Sequence, residues 1–574
     1  MAGIFLVISN KNFEGGEIGT QKSLNSILRK INPFGINDVP HHKSIHDNEA
    51  LLIVNLDSKI KFKNTSVCLG ALGKIDDKWT DLECVPPNAT FLANTNEHNC
   101  ILSSNTTASR SIWYYFDKKQ LVVSTSQRAI VSWLGSFEEN TQAISWMLAT
   151  GNLGPGNSWD KRIKHIEAGE VIKLDRKTWM LDQVIRDNNF HIHSDKSADY
   201  HTAHLEDLLK EVAANSDFNT DDSVLTLSGG YDSRVTLYFL VNSGKKINTI
   251  TWGLSSVINE EFTDAMIASK IAHRLKLENK YFETDFTERS FDPLFNKFLN
   301  YGEGRLDHIN SFMDGFKMWE NLYKNGVRNI IRADEAFGWL PATNDADVRI
   351  SLDLHKMEDN SNMLPLENFN IEPQKYPLYY NRSSDESIPE WRDRLYRQFR
   401  IPYVLTALHD VINPFMEVFN PLLHENIVDF CKRLPDSART NKKLYAKYVS
   451  SLIPDIPFAK KASIPEPSAI LKSAKIVSLL LDEMSSQDTR NILNSQFIKW
   501  TQSNLIVDDK RINSIEDDWL LWFKQQIPWR IKKLLRKDFI KYSADFNQLA
   551  FRIVIITRMH RLLKSDAYDK VTEK

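Results

Sequence analysis

The chain has 574 residues, 42% of them hydrophobic and 25% charged, so it is globular and long enough for two or more packed cores. A formal net charge of −2 argues against broad nucleic-acid binding, and four cysteines (Cys68, Cys84, Cys100, Cys431) without Cys-x-x-Cys spacing point to structural thiols in a reducing compartment. No charged, apolar, small-residue leader opens the chain and no apolar run of about eighteen residues occurs, so neither a signal peptide nor a membrane span is expected and cytoplasm is the expected location.

In chain order, His41 and His42 follow Pro40 in a polar stretch without a third ligand at metal spacing, and read as loop. Ile112 to Tyr115, Leu121 to Ser124 and Ile166 to Asp175 carry the alternating apolar residues of half-buried strands. The sheet-like part ends in the polar stretch from Asp187 to Asp195, which predicts a boundary near residue 195 between units 1–195 and 196–574. Tyr200 to Ala213 then reads as an amphipathic helix.

Leu225-Thr226-Leu227-Ser228-Gly229-Gly230-Tyr231-Asp232-Ser233-Arg234 is the most informative stretch. Val224 to Leu227 reads as a buried strand, Ser228 to Tyr231 as a turn, and Val235 to Val241 as a helix opened by Asp232 and Ser233. Backbone N–H groups and a helix dipole there favour an anion, and glycine removes the Cβ that would block its approach. A carboxylate beside a phosphate repels it unless a cation intervenes, so Asp232 reads as a Mg²⁺ ligand. The same composition also suits an ordinary turn and N-cap. Lys246 to Trp252 reads as a second strand, Glu260 to Leu275 as a helix with Ala265, Ala268 and Ala272 along one face, and Asn279 to Phe282 as a third strand. This βαβαβ run predicts a parallel, doubly wound sheet with its ligand at the carboxyl ends of the strands. Residues 326–339 add a strand that ends in Asp334-Glu335 and Gly338. Beyond Asn360 the chain is loop-rich, with helical pattern resuming near Trp391. The tail from Trp519 to Tyr542 is basic and amphipathic, interrupted at Pro528; it suits a helix packed on its own domain with a solvated basic face, or one that meets a membrane surface or a peptide partner.

The Ser-Gly-Gly-x-Asp-Ser loop closely resembles the pyrophosphate loop of asparagine synthetase-like proteins, which split ATP between its α- and β-phosphates. Residues 326–339 resemble that family's Ser-Gly-x-Gly-x-Asp-Glu-x-Phe-Gly-Gly segment. Met416 to His424 is similar to Glu-x-Arg-x-Pro-Leu-Leu-Asp, with Phe419 for the Arg and His424 for the Asp, and Lys461 to Pro467 is similar to Lys-x-Gly-Phe-x-x-Pro. Met1-Ala2-Gly3-Ile4-Phe5 resembles the Met-Cys-Gly-Ile-Phe start of the family's glutaminase domain, with Ala2 where the cysteine nucleophile stands. The glutamine-binding signatures Arg-Gly-Pro-Asp and Asn-Gly-Glu are absent between positions 30 and 100.

The resemblance runs, in order, over most of residues 1–470. It implies an α+β N-terminal sandwich of antiparallel sheets of the Ntn-hydrolase kind, then an α/β doubly wound domain of the ATP-pyrophosphatase (PP-loop) type with a helical C-terminal part. It also implies that Ser228, Gly229, Gly230 and Ser233 hold ATP phosphates, that Asp232 and Asp334 bind Mg²⁺, and that Lys461 offsets charge as a carboxylate attacks the α-phosphorus. The implied product is an amide, formed when an amine displaces AMP from an acyl-adenylate, without glutamine hydrolysis. Ile331 stands where relatives carry a residue able to assist the amine, and Arg332 reads as a clamp for an anionic substrate. Ala2 points to an amine that belongs to the substrate, as in β-lactam synthetases and lasso-peptide macrolactam cyclases. A cyclase acting on a precursor peptide with its processing proteins ranks level with an amide ligase for sugar or polysaccharide modification. Ammonia-dependent asparagine synthesis and a non-catalytic binding or assembly role are the alternatives.

Overall fold

A computed structural model describes residues 3–14, 16–32, 40–55, 59–70, 75–86, 89–186, 195–464, 467–508 and 542–572. Ala2, Pro465, most of the polar stretch near the expected boundary and the basic tail as far as residue 541 lie outside the described residues.

Twelve strands of the N-terminal part form two antiparallel sheets: β1 (Gly3–Ser9), β2 (His41–Ile45), β3 (Glu49–Val54), β4 (Lys61–Lys63), β5 (Ser66–Leu69), β6 (Phe91–Thr95), β7 (Asn99–Ser104), β8 (Trp113–Phe116), β9 (Gln120–Ser124), β10 (Lys164–His165), β11 (Glu170–Asp175) and β12 (Met180–Ile185). Their orders are β10-β8-β9-β1-β3-β2 and β12-β11-β7-β6-β5-β4. The two-residue period of a strand explains how they stack. Ile4, Leu6 and Ile8 of β1 share a core with Val67, Phe91, Leu102 and Ile172 of the other sheet. Phe5 and Val7 point the opposite way, onto Leu24 and Ile27 of α1 (Gly16–Ile31) and Ala129 and Ile130 of α2 (Gln127–Leu134). With both faces covered, β1 is apolar at every position from Ile4 to Ile8.

His41 and His42, expected in a loop, open β2 at the edge of the first sheet. An edge strand with intermediate burial tolerates the polar residues that made this segment look irregular. The segment from Ile166 is also shorter as a strand than its pattern suggests, because Gly169 at φ 72° turns the chain before Glu170. Burial pushes the Cys68 and Cys100 thiols up to about 12, so they stay protonated as small core residues.

After α3 (Thr141–Thr150) and α4 (Ala198–Asn215), the C-terminal part builds a parallel sheet. Its strands are β13 (Ser223–Thr226), β14 (Asn248–Gly253), β15 (Asn279–Glu283), β16 (Asn329–Ile331) and β17 (Glu417–Phe419), in the order β15-β14-β13-β16-β17. Every neighbouring pair is parallel. Val224, Ile250 and Ile330 pack into one core and Leu225 and Ile331 into another, so both faces of the sheet are covered. α5 (Tyr231–Asn242) follows β13, and α6 (Asp264–Arg274) begins four residues later than the apolar pattern suggests because Thr263 caps it, its Oγ1 accepting from Met266 N at 3.3 Å. The strand order reverses between β13 and β16, the switch point beyond whose carboxyl ends sheets of this kind form their ligand crevice.

The two parts share a core. The last helix, Phe546–Thr572, places Phe551, Ile555 and Met559 in the same apolar cluster as Ala129, Ala143 and Met147. Arg128 Nε donates to Asp566 at 2.7 Å, and Arg552 Nε to Asp307 at 2.6 Å.

A π-helical segment, Tyr396–Leu405, meets β10 at the same junction. The buried His165 ring lies between Trp113, at 4.9 Å, and Tyr403, at 4.8 Å, and neither ring nitrogen has a hydrogen-bond partner among the described residues. Burial, helped by Arg305 and opposed by Asp410, pushes the imidazole down to about 3. The unfolded chain therefore binds a proton at this residue that the folded chain refuses, so stability is complete above the ordinary histidine value and falls with pH below it. His165→Phe is expected to remove about 1.4 kcal/mol of that loss per pH unit between about pH 6 and pH 4. Urea midpoints across that window test it, and identical slopes for the two proteins would refute it.

Candidate active site

The crevice between β13 and β16 gathers most of the expected residues. Leu227 N donates to Ile250 O at 2.8 Å, which carries the ladder just past β13 and delivers Ser228 to the sheet's edge. Two serines then brace the turn: Ser228 N donates to Ser233 Oγ at 3.0 Å, and Gly230 N to Ser228 Oγ at 3.3 Å. Gly229 N donates to Asp264 Oδ1 at 2.8 Å, so that amide is already engaged by the first residue of α6.

The two glycines answer different needs. A Cβ on Gly229 would lie 2.4 Å from Ala459 Cβ and 3.0 Å from Ile267 Cβ, so packing alone demands glycine there. A Cβ on Gly230 would meet only Ser228 Oγ, at 3.4 Å. Gly230 is the N-cap of α5 and gives it no side-chain cap, which leaves the first turn open towards the crevice.

Asp232, in that first turn, is bound by an unexpected partner. Lys442 Nζ lies 3.0 Å from Asp232 Oδ2 and 2.7 Å from Glu335 Oε1, bridging the acidic residues of the two loops. Asn441 and Lys442 both have positive φ, 56° and 53°, an uncommon backbone for these residues that turns the lysine inward. Asn441 N holds this bend by donating to Trp339 O at 2.9 Å. Burial lowers the Lys442 pKa, but Glu335 and Asp232 outweigh it, so the ammonium stays charged. Burial raises the Glu335 carboxyl; Lys442 opposes the rise and Asp232 adds to it. Asp232 Oδ1 is buried, and the Tyr445 hydroxyl is beside this carboxylate.

Asp334 faces different groups. His409 Nε2 lies 2.7 Å from Asp334 Oδ2, Arg332 Nη2 lies 3.9 Å from Oδ1, and Asp334 N donates to Asn420 Oδ1 at 3.1 Å. Burial raises the Asp334 carboxyl, but His409 and then Arg332 outweigh it and hold it well below the usual carboxylate range. The Ile331 side chain is fully buried in the core with Leu225 and Phe337, so its packing, not the crevice, accounts for the residue type.

The segment from Ile456 to Ser463 runs across the ends of the strands. Ala459 N donates to Gly229 O at 3.0 Å, Lys460 N to Phe262 O at 2.8 Å, and Leu254 N to Ser463 O at 2.8 Å. Arg234 fastens it: fully buried, it donates to Ile456 O at 2.8 Å and Pro457 O at 2.7 Å, and lies 4.0 Å over the Phe458 ring, which packs tilted by 31° against Tyr231 at 4.1 Å. Lys461 thus stands two residues beyond the contact with Gly229, with its ammonium on Glu260. His424 caps a helix, its Nδ1 accepting from Asn426 N at 3.3 Å.

No family model and no curated protein matches the chain. Among solved structures, an NMN synthetase from Francisella tularensis is similar at 18% identity over 25% of this chain, with a TM-score of 0.15. The match spans 57% of that enzyme's length. The allosteric regulatory enzyme of purine biosynthesis matches at 10% identity over 49% of this chain and 80% of its own, with a TM-score of 0.20. Glutamine PRPP amidotransferase from B. subtilis, complexed with ADP and GMP, matches at 10% identity over 59% and 83%, with a TM-score of 0.19. Likenesses this weak fix neither fold family nor function.

Proposed function

We propose that the chain is an ATP-dependent carboxylate–amine ligase of the asparagine synthetase-like kind that forms an amide through an acyl-adenylate and does not hydrolyse glutamine. One observation carries this reading: acidic loops from the adjacent parallel strands β13 and β16 converge on the uncapped N-terminus of α5. In this reading residues 1–195 form an Ntn-like unit without its nucleophile and residues 196–574 a PP-loop unit. The open first turn of α5, with Ser228, Gly230 and Ser233, takes the phosphates. Lys442, already charged beside them, supplies a cation that the sequence motifs do not. Lys461 serves the leaving group once it exchanges Glu260 for phosphate oxygen.

The donors fit Mg²⁺ in part. Asp232 offers an Oδ1 that carries no cation, since Lys442 sits on Oδ2, and Asp334 an Oδ1 loosely met by Arg332. No group of three or more His, Cys, Asp or Glu among the described residues would hold a metal alone, so a Mg²⁺ held by Asp232 and Asp334 would share its shell with ATP oxygens. Bound there, it would neutralise charge on the phosphates. The amine proton falls to a group other than Ile331. The carboxylate and the amine, including a precursor peptide for a cyclase, are the partners this reading requires.

Lys442 also favours a second reading, a binding or assembly protein, because its ammonium completes the Asp232–Glu335 pair without any ligand. ATP–pyrophosphate exchange, across amino acids, sugar acids and candidate peptides, decides between them. Exchange that depends on one carboxylate and drops about 100-fold or more in both Asp232→Asn and Asp334→Asn is expected, a loss typical of removing one charge-stabilising group. No exchange together with no ATP binding by calorimetry would overturn the ligase reading.

A further inference from the structure

A second cleft, in the N-terminal part, belongs to none of the elements above that form the crevice. It has a volume of about 800 Å³ and lies between the end of β1, α1, the β8–β9 turn and α2. That volume is within the range of small-molecule sites, about 300 to 1,000 Å³. Its rim is basic: Lys11, Lys22, Lys118 and Lys119 line it against one acid, Glu14, although the whole chain carries a net charge of −2. None of these lysines forms an ion pair among the described residues, and all four are exposed.

Its inner wall is ordered and polar beside two aromatic rings. Ser26 and Ser132, 6% and 3% exposed, line the cleft. Trp133, 8% exposed, is fixed by donating its indole N–H to Gln120 Oε1 at 2.8 Å and meets Phe13 edge-on at 6.2 Å. Asn10 pins the rim, its backbone N–H donating to Lys119 O at 2.8 Å and its side chain to Lys118 O at 3.3 Å, which holds the two adjacent lysines at the mouth.

Four ammonium groups against one carboxylate at the mouth of one cleft repel one another, and an anion relieves that repulsion while drawing on each. Hydroxyls on the inner wall offer donors and acceptors to a ligand that reaches past the rim. An aromatic wall suits an apolar or planar body. We propose that this cleft is a binding site for an organic phosphate, with its anionic groups on the lysines and its planar body against Phe13 and Trp133. The site is independent of the ligase reading, since it shares no residue with the β13–β16 crevice.

Amine-directed acetylation of the full-length protein, read at each lysine by peptide mass spectrometry, tests it with ATP, inorganic tripolyphosphate and sulfate at matched ionic strength. ATP is expected to slow acetylation of Lys11, Lys22, Lys118 and Lys119 about threefold or more, leave the exposed Lys499 unchanged, and do so equally in Asp232→Asn. Lys118→Glu/Lys119→Glu is expected to weaken protection of Lys11 and Lys22 about tenfold in ATP concentration, in line with the loss of charge-assisted bonds. Tripolyphosphate as protective as ATP would remove the part assigned to Phe13 and Trp133. Protection by sulfate alike, or by neither phosphate, would overturn the proposal.

Discussion

Lys442→Met is expected to cost about 3 to 5 kcal/mol of folding stability, the loss typical of removing one member of a buried charged group. The reason is local. Glu335 is 3% exposed and lies with the half-buried Asp232 on the same ammonium, so the substitution leaves a buried carboxylate beside a second one with that counter-charge removed. Because burial, with Asp232 adding to it, raises the Glu335 carboxyl, Glu335 takes up a proton on acidification, and the deficit is expected to shrink from about pH 8 to about pH 5. Glu335→Gln in the same protein should recover more than half of the loss. Urea unfolding of the single and double variants at the two pH values measures this; a single-variant cost under about 1 kcal/mol would mean that the bridge has only the weight of a surface ion pair.

Asp393→Asn is the second large effect, again about 3 to 5 kcal/mol. Asp393 accepts from Arg392 Nε at 2.7 Å, Arg392 Nη2 at 2.9 Å, Arg439 Nε at 2.6 Å and Trp339 N at 3.2 Å. Both arginines are at most 1% exposed, and the variant leaves Arg392 facing a neutral amide and Arg439 with Asp436 as its one remaining carboxylate among the described residues. The damage reaches the crevice, because Arg439 stands two residues before the bend at Asn441 that presents Lys442. A variant that is destabilised and also shows faster acetylation of Lys442 would establish that link. A destabilised variant with Lys442 protected as before would confine Asp393 to packing.

Much of the parallel sheet was legible because each piece was local. The apolar strand before Ser228, the alanine face of α6 and the strand before Asp334 each identify themselves within a dozen residues, and the observed strands overlap the expected ones within a few positions. What the sequence could not disclose is which acid meets which cation. Asp232 and Asp334 read as a pair, yet Asp232 shares Lys442 with Glu335 while Asp334 faces His409. Lys442 is 210 residues from Asp232, in a lysine-rich run whose charge looks like solvated surface, and only two left-handed residues in succession turn it inward. His409 likewise lacks a motif. Asp264 had a signal, as an acid at the start of a helix, but the pattern offered no reason for it to reach back to Gly229.

The shared core of the first and last helical segments sets an order on how the chain can mature. Arg128 and Asp566 are 438 residues apart, and the side of α2 that packs on the final helix, away from β1 and α1, has no cover until that helix exists. At ordinary synthesis rates of about 5 to 20 residues per second, that face waits roughly 20 to 90 seconds after it leaves the ribosome. The N-terminal sheets can form early, whereas their helical layer closes last. Truncation at the C-terminus therefore injures the beginning of the protein as much as its end, and the first 195 residues made alone would expose the apolar side of α2 and α3.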